Sequence, residues 1–375
     1  MALTKYCFGD LIELCFIRNS KGIYNEDDTI GVNIDKEIRI MKGDSSRKEL
    51  KTFWIVKPGF FVYNPRGSRK LGLGYNDTTN TYITTFNNMI FKVKDEALNI
   101  VLPKYLFMYL RRKEWDRKAE YLSWGSSTEV FTWDTFYETE IDLPPLSIQQ
   151  KYVDIYNSMI ANQRCYERGL EDLKLVCDAY IENLRKKFPI TKIGAYLVES
   201  DRRNNIGLTV DYVRGLATSK AMIPTKADMD GVSLTNYKIV PPRHIAYVPD
   251  TSRRGDKVSM GFNDTSDTFL VSSISIVFGT DWNTLIPEYL MLFLTRSEFD
   301  RYARFNSWGS ARETFNFEDM CDVEIPIPDI KIQRSIADIY KVYIERKKIN
   351  ERMKNQIKDI CPILVKGSVE EGGRL

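Results

Sequence analysis

Ser123-Trp124-Gly125-Ser126-Ser127-Thr128-Glu129-Val130-Phe131 recurs as Ser307-Trp308-Gly309-Ser310-Ala311-Arg312-Glu313-Thr314-Phe315. The two copies lie inside longer segments, Pro103 to Gln150 and Pro287 to Arg334, that align without a gap at an offset of 184 residues. Of the 48 aligned positions, 20 are identical; about 3 would be expected by chance at ordinary composition. A period of half the 375-residue chain is not that of a solenoid of short units. It predicts two copies of one module, and so a protein that reads something with two parts.

Working outward, the order is module, long helix, module, long helix. The first module is rich in β-branched and aromatic residues between turn signals, as in Phe60-Phe61-Val62-Tyr63 before Asn64-Pro65-Arg66-Gly67. This predicts short strands and loops. Pro103 and Pro287 each precede an apolar run and mark helix starts. Upstream, the match continues only in blocks with small gaps. Gly74-Tyr75-Asn76-Asp77-Thr78 faces Gly261-Phe262-Asn263-Asp264-Thr265, and Arg18-Asn19 faces Arg203-Asn204. The drifting offset means equal scaffolds with unequal loops, the pattern of two readers with different targets.

Each module ends at a proline-marked step and runs into a helix. Ile148, Tyr152, Ile155, Met159, Tyr166, Leu170, Leu173, Cys177, Tyr180 and Leu184 fall in steps of four and three with Gln163 as a polar member. That is a heptad seam. Ile332, Ile336, Ile339, Tyr343, Met353, Ile357, Ile360 and Leu364 repeat the scheme, with Asn350 near the middle. Neither seam is buried alone, so the helices are expected to pair, with room to run antiparallel because a whole module separates them. The fold class expected is α+β. Two similar mixed α/β domains, residues 1–146 and 189–330, are separated by two long helices, 147–188 and 331–375 with its tail. The helices pair as an antiparallel coiled coil, with approximate twofold symmetry.

Composition narrows the function. With 43% apolar and 28% charged residues the chain reads as folded and soluble. Cys7, Cys15, Cys165, Cys177, Cys321 and Cys361 form no CxxC pair and read as reduced cytosolic thiols. Net charge is only +3, so polyanion binding must come from local clusters. Catalytic signals are sparse. The single histidine, His244, rules out a two-histidine metal site within one chain, and no P-loop is present. Glu49-Leu50-Lys51 matches only the tail of an acidic-x-Lys nuclease motif, without an evident acidic partner. The expectation is therefore a chain without catalytic residues or a metal.

The repeated Trp124-Gly125-Ser126 and Trp308-Gly309-Ser310 steps read as structural joints, with the tryptophan packed and the glycine supplying a turn. A sharper alternative has the Gly-Ser backbone touching a phosphate. The basic Gly/Ser-rich loops are the better DNA-contact candidates: Arg66, Ser68, Arg69 and Lys70 in the first module, and Arg253, Arg254 and Lys257 at the matching place in the second. Arginine suits bidentate contact with guanine, and lysine and serine suit phosphates. Arg18 and Asn19, with Arg202 and Arg203, form a second set.

Together, the Trp-Gly-Ser…Glu…Phe step, the helix entries Ile141 to Gln150 and Ile325 to Arg334, and the half-chain period resemble the specificity subunit (HsdS) of a type I restriction-modification system. The resemblance covers essentially the whole chain. It implies that each module is a target-recognition domain reading one half of a split DNA sequence. It implies that the paired helices fix the spacer and dock two methyltransferase (HsdM) subunits. S-adenosylmethionine and adenine-N6 chemistry would belong to those partners, and ATP and Mg to two restriction (HsdR) subunits. Two departures stand out: the modest net charge, and Lys354 where the first seam has Leu170. Two rivals are a non-DNA coiled-coil adaptor and a nuclease with intrinsic activity.

Overall fold

The computed structural model describes residues 3–41, 49–66, 70–125, 129–251, 257–309 and 312–374. It divides into two compact units that do not follow chain order. One joins residues 1–165 to 350–375, and the other is 166–349.

In the first unit, β1 (Thr4–Cys7), α1 (Phe8–Leu11), β2 (Ile12–Leu14), the hairpin β3 (Ile30–Val32) and β4 (Ile38–Ile40), β5 (Trp54–Val56), β6 (Phe61–Asn64), β7 (Gly72–Tyr75), β8 (Tyr82–Thr84) and β9 (Met89–Val93) precede the helices. Strands β2-β9-β6-β7 form an antiparallel sheet. Successive side chains of a strand point to opposite faces, and the core divides accordingly. Phe61, Tyr63 and Phe91 enter the main core. Val62 and Ile90 enter a smaller one with Ile30 and Val56 from the β3 and β5 segments. α2 (Pro103–Leu110), α3 (Lys113–Tyr121) and α4 (Trp133–Glu138) follow, and then β10 (Glu140–Leu143). Proline occupies the first turn of α2, where its missing N–H is not needed. β10 pairs with β1 and leads into α5 (Leu146–Lys187).

The second unit repeats this. Its elements are β11 (Ile190–Lys192), β12 (Leu197–Glu199), the hairpin β13 (Arg214–Leu216) and β14 (Met222–Pro224), β15 (Lys238–Val240), β16 (Ile245–Tyr247), β17 (Met260–Phe262), β18 (Phe269–Val271), β19 (Ile276–Thr280), α6 (Pro287–Leu294), α7 (Ser297–Phe305), α8 (Phe317–Cys321) and β20 (Glu324–Pro326), before α9 (Ile330–Gly373). The sheet order β12-β19-β16-β17 is the counterpart of the first. Tyr247 and Phe278 face the main core, and Ala246 and Val277 face the smaller one. Gly74 and Gly261 are required by close approach. A Cβ at either would lie 2.5 Å from the side chain of Ile38 or Met222 in the hairpin packed above.

The long helices pack antiparallel within each unit. In the first, Lys151 Nζ lies 2.8 Å from Glu371 and Gln163 Nε2 donates to Asn350 Oδ1 at 3.0 Å. In the second, the Arg346 guanidinium lies over the Tyr166 ring. The two polar members of the expected seams thus meet each other, the arrangement that fixes register in a coiled coil.

The seam itself needs correction. Val153, Tyr156 and Ile181 are buried, whereas Ile155 and Tyr180 are exposed. A strict heptad counts only the partner helix. Here α5 also packs on its own module, through Tyr156 beside Arg111 of the α2 end, so the buried stripe is wider and turned. α9 continues through Pro362, which costs it one backbone bond. Cys361, Leu364 and Val365 are buried in the first core on either side of it. Gln149 and Gln333 tie the helices to the modules. Each amide accepts from one backbone N–H, of Leu102 or Ile286, and donates to two carbonyls. That accounts for their framework character.

Candidate nucleic-acid interface

The basic segments fall at one place in the fold, the loop joining the last two strands of each sheet, β6 to β7 and β16 to β17. In the first unit, Arg66 and Lys70 lie on this loop and are exposed. Lys257 takes the same place in the second and is also exposed. Ser68, Arg69, Arg253 and Arg254 lie outside the described residues, as do Ser126 and Ser310.

Both loops are fastened at their two ends, and the fastenings match. Upstream, Phe131 N–H donates to the Pro65 carbonyl at 2.9 Å and Arg66 bridges to Val130. In the second unit, Phe315 N–H donates to the Pro249 carbonyl at 2.9 Å and Asp250 bridges to Thr314. Each loop thus runs beside its Trp-Gly-Ser hairpin.

Downstream, a buried ion pair acts as a rivet. Lys36, at the tip of the β3–β4 hairpin, reaches both the Asp116 carboxylate and the Leu71 carbonyl, and Asp116 accepts from Leu71 N–H at 3.3 Å. In the second unit, Lys220 Nζ lies 2.5 Å from Asp300 Oδ1 and donates to the Val258 carbonyl at 2.8 Å, while Val258 N–H donates to Asp300 at 3.0 Å. Burial pushes both ammonium groups below the usual lysine range; the facing carboxylates oppose this, and Lys70 and Lys257, among the neighbouring like charges, add to it. Both lysines sit at positive φ, 61° and 63°, a strained turn held by what the side chain grips.

These rivets were not foreseen. Lys36 and Lys220 differ by the same offset of 184 as Asp116 and Asp300, and that equality was the available signal.

The expected joint is corrected. Trp124 and Trp308 are not packed: they are 79% and 69% exposed. The buried aromatic anchors of each hairpin are Phe131 and Phe315 instead. The glycine does supply a turn, with Gly309 at φ 142°.

The second set is partly reassigned. Asn19 is buried, and its amide donates to the carbonyls of Tyr24 at 2.9 Å and Leu50 at 3.3 Å, so it builds its own loop rather than meeting a partner. Asn204, at the matching place, closes the turn to Leu208. Arg203 is engaged by the Asp201 carboxylate and the Asn236 carbonyl. Arg18 lies over the Trp54 ring, and Arg202 is exposed. Asn76 and Asn263 form the expected tight turns, each bonding carbonyls on both sides.

His244 bonds the Pro242 carbonyl through Nδ1 at 3.0 Å. Glu49 caps, and Lys51 lies within, the short 3-10 turn Leu50–Thr52. Among the described residues, no group of three or more His, Cys, Asp or Glu could hold a metal ion, and no helix is long and apolar enough to cross a membrane.

The same sheet module is thus present twice, each time with both ends of its last strand-joining loop fastened. Residues 257–359 match the family described as "Type I restriction modification DNA specificity domain". That match runs from the end of the β16–β17 loop into α9 and covers less than half of the chain.

The crystal structure of the type I restriction-modification system S subunit from M. genitalium shares its fold, with a TM-score of 0.60 over 98% of this chain and 95% of that one, at 11% identity. The HsdS subunit from Thermoanaerobacter tengcongensis is 13% identical over 98% of this chain and 96% of that one, with a TM-score of 0.38. A structure concerned with complex assembly and conformational transition of the type I system is 13% identical over 97% of both chains, with a TM-score of 0.45. No curated protein matches.

Proposed function

We propose that each module reads one half of a bipartite DNA target through its riveted loop, and that the paired helices set the spacer and dock two methyltransferase subunits. The observation that carries this reading is the duplicated loop: same root, same rivet, but with Leu71 and Val258 displaced by 187 residues rather than 184. Equal roots with unequal loops give two readers of different sequence on one scaffold.

Arg66 is suited to a base edge and Lys70 and Lys257 to phosphates. The methyl donor S-adenosylmethionine is assigned to the methyltransferase partners, and ATP and Mg to two restriction subunits. The chain itself supplies specificity and no catalytic group.

The test is duplex binding by the chain in complex with its methyltransferase subunit, measured across salt concentrations. Affinity is expected to fall steeply with salt. Lys70→Ala should reduce the slope of log affinity against log salt by about 1 and weaken all sequences alike. Arg66→Ala should cost about 1–3 kcal/mol, confined to one half-site. A complex that binds duplex without salt dependence would exclude the reading and favour the adaptor.

A further inference from the structure

Each module carries an exposed aromatic pair beside its β6–β7 or β16–β17 loop. Tyr121 and Trp124 are 84% and 79% exposed; Phe305 and Trp308, at the same positions of the second copy, are 80% and 69% exposed. Single exposed apolar residues are ordinary. Four aromatics at matching positions, the two tryptophans each in a built frame, are not scatter.

The frame is specific. Ser123 and Ser307 hydroxyls each donate to a helical carbonyl four residues back, of Ala119 and Ala303, at 2.6 Å. Trp124 exchanges both backbone hydrogen bonds with Val130 at 3.3 and 3.0 Å, and Trp308 does so with Thr314 at 3.1 and 3.0 Å. At Gly309 a Cβ would lie 2.1 Å from the Arg312 carbonyl oxygen, so only glycine lets the hairpin close behind the tryptophan. The frame holds the indole out of the core and fixes where it points from.

We propose that these aromatic pairs make a sequence-independent contact to the DNA duplex, one at each half-site. The inference rests on the function proposed above. Two observations select DNA as the occupant.

Val130 bridges to Trp124 on one side and to Arg66 on the other, and Thr314 likewise joins Trp308 to Asp250. Adjacent strands lie about 4.8 Å apart, so the tryptophan backbone lies about 10 Å from the reading loop. That is less than the roughly 12 Å width of a major groove. A duplex in reach of Arg66 therefore also covers Trp124.

The second observation is what differs between the copies. Reading loops diverge in length and residues, while the Trp hairpins keep their length and share Ser-Trp-Gly-Ser, the glutamate and the phenylalanine. A contact common to both halves addresses what all duplexes share, their sugars and stacked base steps, on which aromatic side chains stack or wedge.

The test uses the full chain with its methyltransferase subunit. Trp124→Ala, Trp308→Ala and the double variant are titrated by fluorescence anisotropy with a duplex carrying both half-sites and with one in which both are scrambled. Each alanine should weaken both duplexes by the same factor, about tenfold, with the methylated motif unchanged. Trp124→Phe should recover part of the loss.

Unchanged affinity for both duplexes in the double variant overturns the proposal. So does a loss confined to the specific duplex, which would make the tryptophans base readers. A loss that tracks dissociation of the methyltransferase on co-purification overturns it too and assigns the patch to protein docking. If the wild-type complex itself shows no salt-sensitive binding, the function reading fails first and this proposal with it. Wild-type binding with unaffected variants removes this proposal alone.

Discussion

Asp116→Ala should destabilise the first unit by about 3–5 kcal/mol, measured by chemical denaturation. Removing one partner of a buried pair leaves an uncompensated charge. Here that charge is the Lys36 ammonium, 3% exposed. The substitution also orphans the Leu71 N–H, which donates to Asp116. Replacing both partners by apolar residues of similar size, Lys36→Met with Asp116→Leu, should recover most of the loss, because a buried pair is often neutral against a well-packed apolar substitute. Full recovery is not expected, since Leu71 N–H still lacks its acceptor, at a cost of about 1–3 kcal/mol.

The pH dependence has a definite sign. Burial holds the Lys36 ammonium below its ordinary value of 10.5. A folded-state value below the unfolded one means that the unfolded chain binds the proton more tightly. Asp116 opposes that shift, so its loss lowers the folded value further; the charge penalty of Asp116→Ala is complete below the variant's folded value and is lost as pH rises to the wild-type one, itself below 10.5. A loss that stayed constant through alkaline pH would contradict the assignment of the buried charge. Asp300→Ala should act likewise in the second unit through Lys220.

The second large effect concerns the spacer. Four residues added to each long helix, near Gln163 in α5 and near Asn350 in α9, should lengthen the methylated motif's spacer and leave both half-sites unchanged. Those positions are where the two compact units divide within each helix, so an insertion there leaves each module's own contacts intact. Four residues add about 6 Å of helix. At 3.4 Å per base pair along one strand, that is about two base pairs. The insertion must be made in both helices, since one alone would break the Gln163–Asn350 pairing. Sequencing of the methylated sites would contradict the ruler if a half-site changed and the spacer did not.

Much of this architecture was legible in the sequence, for identifiable reasons. Pro103 and Pro287 marked helix starts because proline has a mechanical meaning at a first turn. Phe60-Phe61-Val62-Tyr63 read as a strand because aromatic and β-branched residues precede turn residues there, but the continuous apolar run hid the split of its two faces between two cores. The basic loops were found because turn residues and arginines cluster there. What escaped needed the third dimension. Lys36 and Asp116 are 80 residues apart. Each reads alone as a solvated surface charge, and only folding brings them together. Trp124 read as packed because apolar residues in a repeated motif usually are; its exposure is decided by hairpin geometry that the residue types do not encode. The helix seam was read against one neighbour when it has two, so Tyr156 was missed and Ile155 was wrongly included.

The central claim is that this chain alone decides where DNA is methylated, through two modules reading two half-sites. Single-molecule methylome sequencing tests it most directly, comparing cells that express the chain with its methyltransferase subunit against cells with the methyltransferase alone. The expected result is a split N6-methyladenine motif present only with the chain, whose first or second half changes when the β6–β7 or the β16–β17 loop is exchanged. No new motif, despite a stable complex on co-purification, would contradict the claim.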